Sequence, residues 1–296
     1  MIFILGTGRC GTKSLMELLN QWDDIYCLHE PPPILRRETA EYLYGDKEKG
    51  ELIRVLKETR QEQGDGEYAE SNQRLSFAVD ALAEAFPGAR FIWVLRSGLD
   101  VVASTYRRRW YFKGEENAES HWQRYRVQGD KAGAMSPQQW AALDCFERNC
   151  WYWAWTNTKI RADLNHIQSP SMMLRIEDLE EEEGRIADFI GRALPQSIRI
   201  PRSNTSSSYS QIPVKPCGWD GRQRKGFSEI CGPLMDEYYP GWRQALALSP
   251  WRRFRNACWG MLSERKPLGR LVSRTFRVLP SSFQAPFRWA SRGRRN

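Results

Sequence analysis

The hydrophobic pattern is clearest at the start of the chain. Ile2-Phe3-Ile4-Leu5 is an unbroken apolar run, Gly6-Thr7-Gly8-Arg9-Cys10-Gly11 is a turn with three glycines, and Leu15, Met16, Leu18 and Leu19 then fall at helical spacing. This order reads as strand, tight loop and helix N-terminus. Ile25-Tyr26-Cys27-Leu28 predicts a second strand, which Pro31-Pro32-Pro33 stops because proline has no amide to donate, so His29 and Glu30 fall at its carboxyl end. Residues 34–63 are helical in pattern, with one apolar face over Glu51–Leu56, and Gly64-Asp65-Gly66 is expected to close them. Tyr68–Asn72 predicts a short third strand, and a helix follows from Leu75 to Ala85, ending at Pro87-Gly88. Arg90-Phe91-Ile92-Trp93-Val94-Leu95 is apolar on both faces, as an interior parallel strand should be.

Later in the chain, Pro137 is expected to open one long helix through Leu164 whose aromatic stripe (Trp140, Phe146, Trp151, Trp153, Trp155) reads as core. Glu180–Glu183 suit the first turn of a further helix, where negative charge meets the helix dipole. The sum is an α/β fold: one domain over residues 1–248, with a parallel sheet of about five strands and helices on both faces. Residues 249–296 are set apart as a basic amphipathic extension.

Charge supports that division. The net charge is +8, yet residues 249–296 hold 12 of the 44 Lys and Arg and one of the 36 acidic residues, Glu264, so the remainder is slightly acidic. Apolar positions at helical spacing (Trp251, Phe254, Cys258, Leu262) alternate there with arginines, a pattern suited either to a membrane surface or polyanion or to packing on the domain. A hydrophobic fraction of 41% argues for a globular chain. No apolar run reaches the roughly 20 residues that span a bilayer. With a strand starting at Ile2, a cytoplasmic protein is expected, peripheral on membranes if the extension binds them. Seven cysteines without CxxC spacing read as reduced thiols, and His29, His121 and His166 are too scattered to suggest a metal set.

The first loop carries candidate chemistry. Unpaired amides of a first helical turn, the helix dipole and glycines that let the backbone close in together make an anion site. Arg9 and Lys13 add charge, and Thr12 and Ser14 add hydroxyls. A nucleoside-triphosphatase loop, GxxxxGK[ST], fits Gly6 and Gly11 but fails where Thr12 precedes Lys13-Ser14. That reading, a P-loop kinase or nucleotide hydrolase, needs magnesium and a strand-terminal carboxylate, for which Asp178 is the nearest candidate. A non-enzymatic anion- or membrane-binding protein would account for the extension.

A third reading is a resemblance. Residues 6–13 resemble the phosphosulfate loop of sulfotransferases that use 3′-phosphoadenosine 5′-phosphosulfate (PAPS), roughly G-x-[PG]-[KR]-[ST]-G-T-[TS], with Arg9 at the basic position, Gly11 and Thr12 matching, and Lys13 replacing Thr or Ser. Arg96, Asp100, Ser104 and Tyr106 match that family's 3′-phosphate pattern R-x-P-x-D-x-x-x-S-x-Y, with Gly98 in place of Pro. Arg96 and Ser104 can converge on a phosphate if the chain folds back at Gly98. Met172–Leu179 resembles the family's late strand, which ends in Glu-Asp-Leu as Glu177-Asp178-Leu179 does here, and Glu30-Pro31 resembles a Glu-Pro of its carbohydrate enzymes.

The resemblance implies sulfuryl transfer from PAPS to an acceptor hydroxyl or amine, with 3′,5′-bisphosphoadenosine (PAP) as product and no metal. It implies a donor site of Gly8, Arg9, Cys10, Gly11, Thr12, Lys13, Ser14, Arg96 and Ser104. Arg9 would stabilise the leaving phosphate. Glu30 is the leading candidate base, with His29 its competitor, because adjacent strand residues point to opposite sides. A basic loop around Lys215, Trp219, Arg222, Arg224 and Lys225 is expected to close over the nucleotide. The stretch Arg107-Arg108-Arg109-Trp110-Tyr111 reads as a surface loop beside the site, favouring a polar acceptor such as a glycan over a specific nucleic acid.

Overall fold

The computed structural model describes residues 1–60, 66–112, 124–199 and 218–247. Its centre is a parallel five-stranded sheet in the order β2-β3-β1-β4-β5, formed by β1 (Ile2–Gly6), β2 (Ile25–His29), β3 (Glu67–Ser71), β4 (Arg90–Leu95) and β5 (Ser171–Arg175). The helices are α1 (Thr12–Leu19), α2 (Arg36–Tyr44), α3 (Lys49–Thr59), α4 (Val79–Ala85), α5 (Gly98–Arg107), α6 (Pro137–Ala142), α7 (Cys145–His166), α8 (Glu183–Ile190), α9 (Gly221–Tyr238) and α10 (Trp242–Ala247). Met1–Trp242 form one compact unit; of a second, Arg243–Asn296, only 243–247 are described. The extension 249–296 and the Pro/Ser-rich stretch 201–216, with Lys215, lie outside the described residues.

Strand alternation sorts the core onto two faces. Ile2, Ile4, Ile92 and Val94 pack with Leu15, Leu18 and Leu19 of α1 and with Ile186 and Ile190 of α8. On the other face Phe3 stacks on Phe91, and the Trp93 indole donates to Asn157 Oδ1 of α7 at 3.0 Å. Both faces are therefore covered, which is why β1 and, after Arg90, β4 are apolar. The chain leaves β1 toward β2 and leaves β4 toward β5, so the connections diverge between two adjacent strands. In an open parallel sheet that divergence opens a crevice at the strands' carboxyl ends.

Several boundaries differ from the sequence reading, each for a local reason. The helix expected from Pro137 to Leu164 is two helices, because Asp144 and Glu147 form a capping box that starts α7 afresh, as Ser136 and Gln139 do for α6. The stretch Leu75–Ala85 divides into a 3-10 turn (Leu75–Phe77) and α4. The strand expected to reach Leu179 ends at Arg175, where Ile176–Asp178 form a 3-10 turn. Helix α3 ends at Thr59, and Gly64 and Asp65 of the expected closing turn lie outside the described residues. Of the run 180–183, only Glu183 lies within α8. Arg222, Arg224 and Lys225 lie on α9 rather than in a loop, engaged by Asp144, the Trp219 carbonyl and Glu229, and Trp219 itself is buried.

Candidate active site

The loop Gly6–Gly11 and the turn Arg96-Ser97 stand at the carboxyl ends of β1 and β4, side by side at the crevice. All three glycines of the loop are set by contact: a Cβ at Gly6 would lie 2.6 Å from Cys10 Sγ and 2.8 Å from the Val94 carbonyl oxygen. A Cβ at Gly8 would lie 2.3 Å from Gln73 Oε1 and 2.6 Å from the Trp110 ring; one at Gly11, whose φ is +98°, would lie 2.5 Å from Ile176. Cys10 turns its thiol into the core, where burial pushes its pKa up to about 11, so it contributes backbone only. Thr12 and Ser14 are buried in the first turn of α1, and Lys13 sits 3.7 Å from Glu17 on its outer side. Helix α1 has no side-chain cap, and the amides of Arg9, Gly11 and Lys13 have no acceptor among the described residues. Free amides at a helix N-terminus are donors for an anion.

Positive charge gathers over these amides. Arg9 (φ +73°) donates through Nε to Ser104 Oγ at 3.3 Å, and Arg108 Nη1 donates to the same oxygen at 3.0 Å. Arg96 Nη1 donates to the Arg9 carbonyl at 3.2 Å, with Asp100 3.4 Å from its other terminal nitrogen. Arg96 and Ser104 thus meet through Arg9 rather than directly. Burial, then Arg108, then Arg96 lower the Arg9 pKa to about 10, so it still carries its proton at neutral pH. Two guanidiniums on one hydroxyl, with a third on the adjoining Arg9 carbonyl, repel one another, and an anion placed among them would relieve that cost.

The turn after β4 is held from beneath. The Trp153 indole donates to the Arg96 carbonyl at 2.9 Å, and Glu177 accepts from the Ser97 amide at 2.9 Å. Gly98 replaces the family's Pro for a visible reason. Its amide donates to Met235 Sδ at 3.3 Å, which proline cannot do, and a Cβ there would meet the Trp153 ring at 3.0 Å.

A second group lies across the loop. Glu30 has φ +48°, a left-handed conformation unusual for a non-glycine residue, and its amide donates to the Ser71 carbonyl at 2.9 Å. Gln73 Nε2 donates to Glu30 Oε1 at 3.0 Å. His29 faces elsewhere, with Nδ1 3.1 Å from Ser71 Oγ. The chain beyond Glu30 is fixed by a buried pair: Glu70 accepts from Arg60 at 2.6 and 3.1 Å, from Tyr68 at 2.8 Å and from Asn72 at 2.9 Å, while Arg60 also donates to the Pro33 carbonyl at 2.7 Å. Trp110 and Tyr111, read from sequence as a surface loop, are packed instead. Tyr111 is buried, and the Arg126 guanidinium lies 3.7 Å over the Trp110 ring.

Sequence reasoning missed Arg108, Gln73 and Tyr152. Arg108 could have been found, since it follows Ser104 by four residues and shares its helix face. Gln73 and Tyr152 carry no such signal. Asp178, the carboxylate considered for a metal, pairs with Arg175 at 2.5 Å on the edge strand. Among the described residues no group of three or more His, Cys, Asp or Glu could hold a metal ion.

The model of the sulfotransferase family matches residues 2–148, about half of the chain, which includes the loop after β1, Glu30 and the turn after β4. Over that stretch the chain belongs to the sulfotransferase family, and sulfuryl transfer is its class of chemistry. Among solved structures it is similar to the sulfotransferase domain from the curacin biosynthetic pathway (14% identity, 66% of this chain and 75% of that one, TM-score 0.44). It is also similar to a sulfotransferase from Alicyclobacillus acidocaldarius (15% identity, 85% and 98% covered, TM-score 0.43) and to sulfotransferase STF9 from Mycobacterium avium (13% identity, 80% and 76% covered, TM-score 0.43). No curated protein matches the chain.

Proposed function

We propose that the chain transfers the sulfuryl group of PAPS to a hydroxyl of a polar acceptor such as a glycan, with Glu30 as base. The observation that carries the donor assignment is the convergence of Arg9 and Arg108 on Ser104 Oγ and of Arg96 on the Arg9 carbonyl, beside the uncapped N-terminus of α1. One anion fits the helix N-terminus and a second fits the arginine cluster. A nucleotide with phosphates at both its 5′ and 3′ positions has that pair of charges.

In this reading the amides of Gly11 and Lys13, with the Thr12 and Ser14 hydroxyls, hold the 5′-phosphate, while Arg96, Ser104 and Arg108 hold the 3′-phosphate. Arg9, between the two, neutralises charge that grows on the bridging oxygen as the sulfur–oxygen bond breaks. Glu30 takes the acceptor's proton as its oxygen bonds to sulfur, releasing PAP and a sulfate ester. Such a displacement asks little covalent work of the protein, so position and charge stabilisation dominate. The test is transfer of labelled sulfate from PAPS to a panel of glycans, phenols, alcohols and amines. Labelled product in the presence of EDTA supports the reading, and activity only with ATP and magnesium replaces it with a kinase or hydrolase.

The basic extension remains a proposed contact for anionic membranes or polyanions. Among the described residues no helix is long and apolar enough to cross a membrane. Titrating vesicles of phosphatidylserine and phosphatidylcholine with the full chain and with a chain ending at Leu248 tests that contact.

A further inference from the structure

Three hydrogen bonds join the donor loop to Glu30. The Gly8 amide donates to Tyr152 Oη at 2.9 Å, Tyr152 Oη donates to Gln73 Oε1 at 3.3 Å, and Gln73 Nε2 donates to Glu30 Oε1 at 3.0 Å. Chemistry fixes the direction. A carboxylate only accepts, so the Gln73 amide nitrogen must face it and the amide oxygen must face Tyr152. The Tyr152 oxygen accepts from Gly8, and its own proton is then left for Gln73.

Each member is held in place. Tyr152 is buried on α7 with the Trp110 ring edge-on at 5.6 Å, and Gln73 Oε1 lies 2.3 Å from where a Cβ at Gly8 would be. Glu30, by contrast, sits in a strained backbone conformation at a strand end, where its carboxylate would otherwise be free to turn. Its second oxygen, Oε2, has no hydrogen-bond partner among the described residues. One oxygen is therefore anchored and the other is available to an acceptor.

We propose that Gln73 and Tyr152 are positioning residues that gear Glu30 to the phosphosulfate loop, so that the base and the donor are set at a fixed separation by one relay through Gly8. The proposal rests on Glu30 being the base. It makes Gln73 an acceptor-side residue whose effect passes entirely through Glu30.

The experiment is a double-mutant cycle on the full chain. It follows label leaving PAPS in single turnover, to water and to p-nitrophenyl glycosides as probe acceptors, with PAP affinity measured by calorimetry. Gln73→Leu should lower turnover by about 10- to 100-fold, the scale of a misplaced catalytic group. Its KM for PAPS and its PAP affinity should stay within about twofold, the signature of an interaction that matters only to the chemical step. In the Glu30→Gln background the same substitution should cost less than about twofold, since residues acting as a unit are not additive. Tyr152→Phe keeps the ring packing and should show the same coupling with a smaller loss, and it carries the cycle if Gln73→Leu fails to fold. Losses that multiply, or a PAP affinity that falls with turnover, overturn the relay and leave Glu30 as base. Wild-type turnover in Glu30→Gln alone overturns the base assignment and the relay with it.

Discussion

The two sides of the crevice are built differently. The proposed donor side is made of two contiguous backbone segments, residues 6–14 and 96–108, each a strand end running into a helix. Its chemistry comes from amides, a dipole and arginines whose spacing the helix dictates. The proposed acceptor side is assembled from the ends of β2 and β3 and from the middle of α7, and no two of Glu30, Gln73 and Tyr152 are near in sequence. A local motif fixes the first; packing of distant elements fixes the second. Damage to the donor side should therefore appear as lost nucleotide affinity, and damage to the acceptor side as lost turnover.

The largest effect expected is on the acceptor side. Glu30→Gln should lower turnover by about 10²- to 10⁴-fold, the usual contribution of a general base, with PAP affinity near wild type. His29→Ala should cost far less, because His29 is turned toward Ser71. Steady-state kinetics with PAPS checks both, and the reverse outcome would make His29 the base. Next is the buried pair that holds the chain after Glu30. Glu70→Ala leaves the Arg60 charge buried alone, which typically costs about 3–5 kcal/mol, and urea unfolding should show that loss.

On the donor side, Arg9→Ala should cost about 2.7–4 kcal/mol in the chemical step, the range for removing a donor to developing negative charge. It is the one donor-side change expected to act mainly on turnover, so it tests where the two sides meet. Arg96→Ala should weaken PAP binding by about 1.5–3 kcal/mol while leaving adenosine 5′-monophosphate nearly unchanged. Arg108→Ala should act in the same direction by about 1 kcal/mol, less because the group is partly exposed and screened. Equal losses for both nucleotides would remove these residues from the 3′-phosphate.

The difference between the sides also explains what could be read from the sequence. All five strands and the helix after Gly11 were legible, because each depends on neighbours within about ten residues. Arg96 and Ser104 were expected to converge; in the structure Arg9 and Arg108 reach the Ser104 hydroxyl, and Arg96 reaches the Arg9 carbonyl instead. The break at Asp144 was legible in principle, since Asp144 and Glu147 have capping-box spacing, but the aromatic stripe running through it hid the signal. Gln73 and Tyr152 were not legible at all. An isolated Gln after a strand and a Tyr among core aromatics acquire meaning only when α7 crosses the sheet.

The most direct test of the central claim is calorimetric titration of the full chain with PAP and with ATP, each in EDTA and in magnesium. The account predicts that PAP binds in EDTA, more tightly than ATP under either condition, and that Arg96→Ala removes much of that preference. ATP binding more tightly than PAP, and only with magnesium, would contradict it.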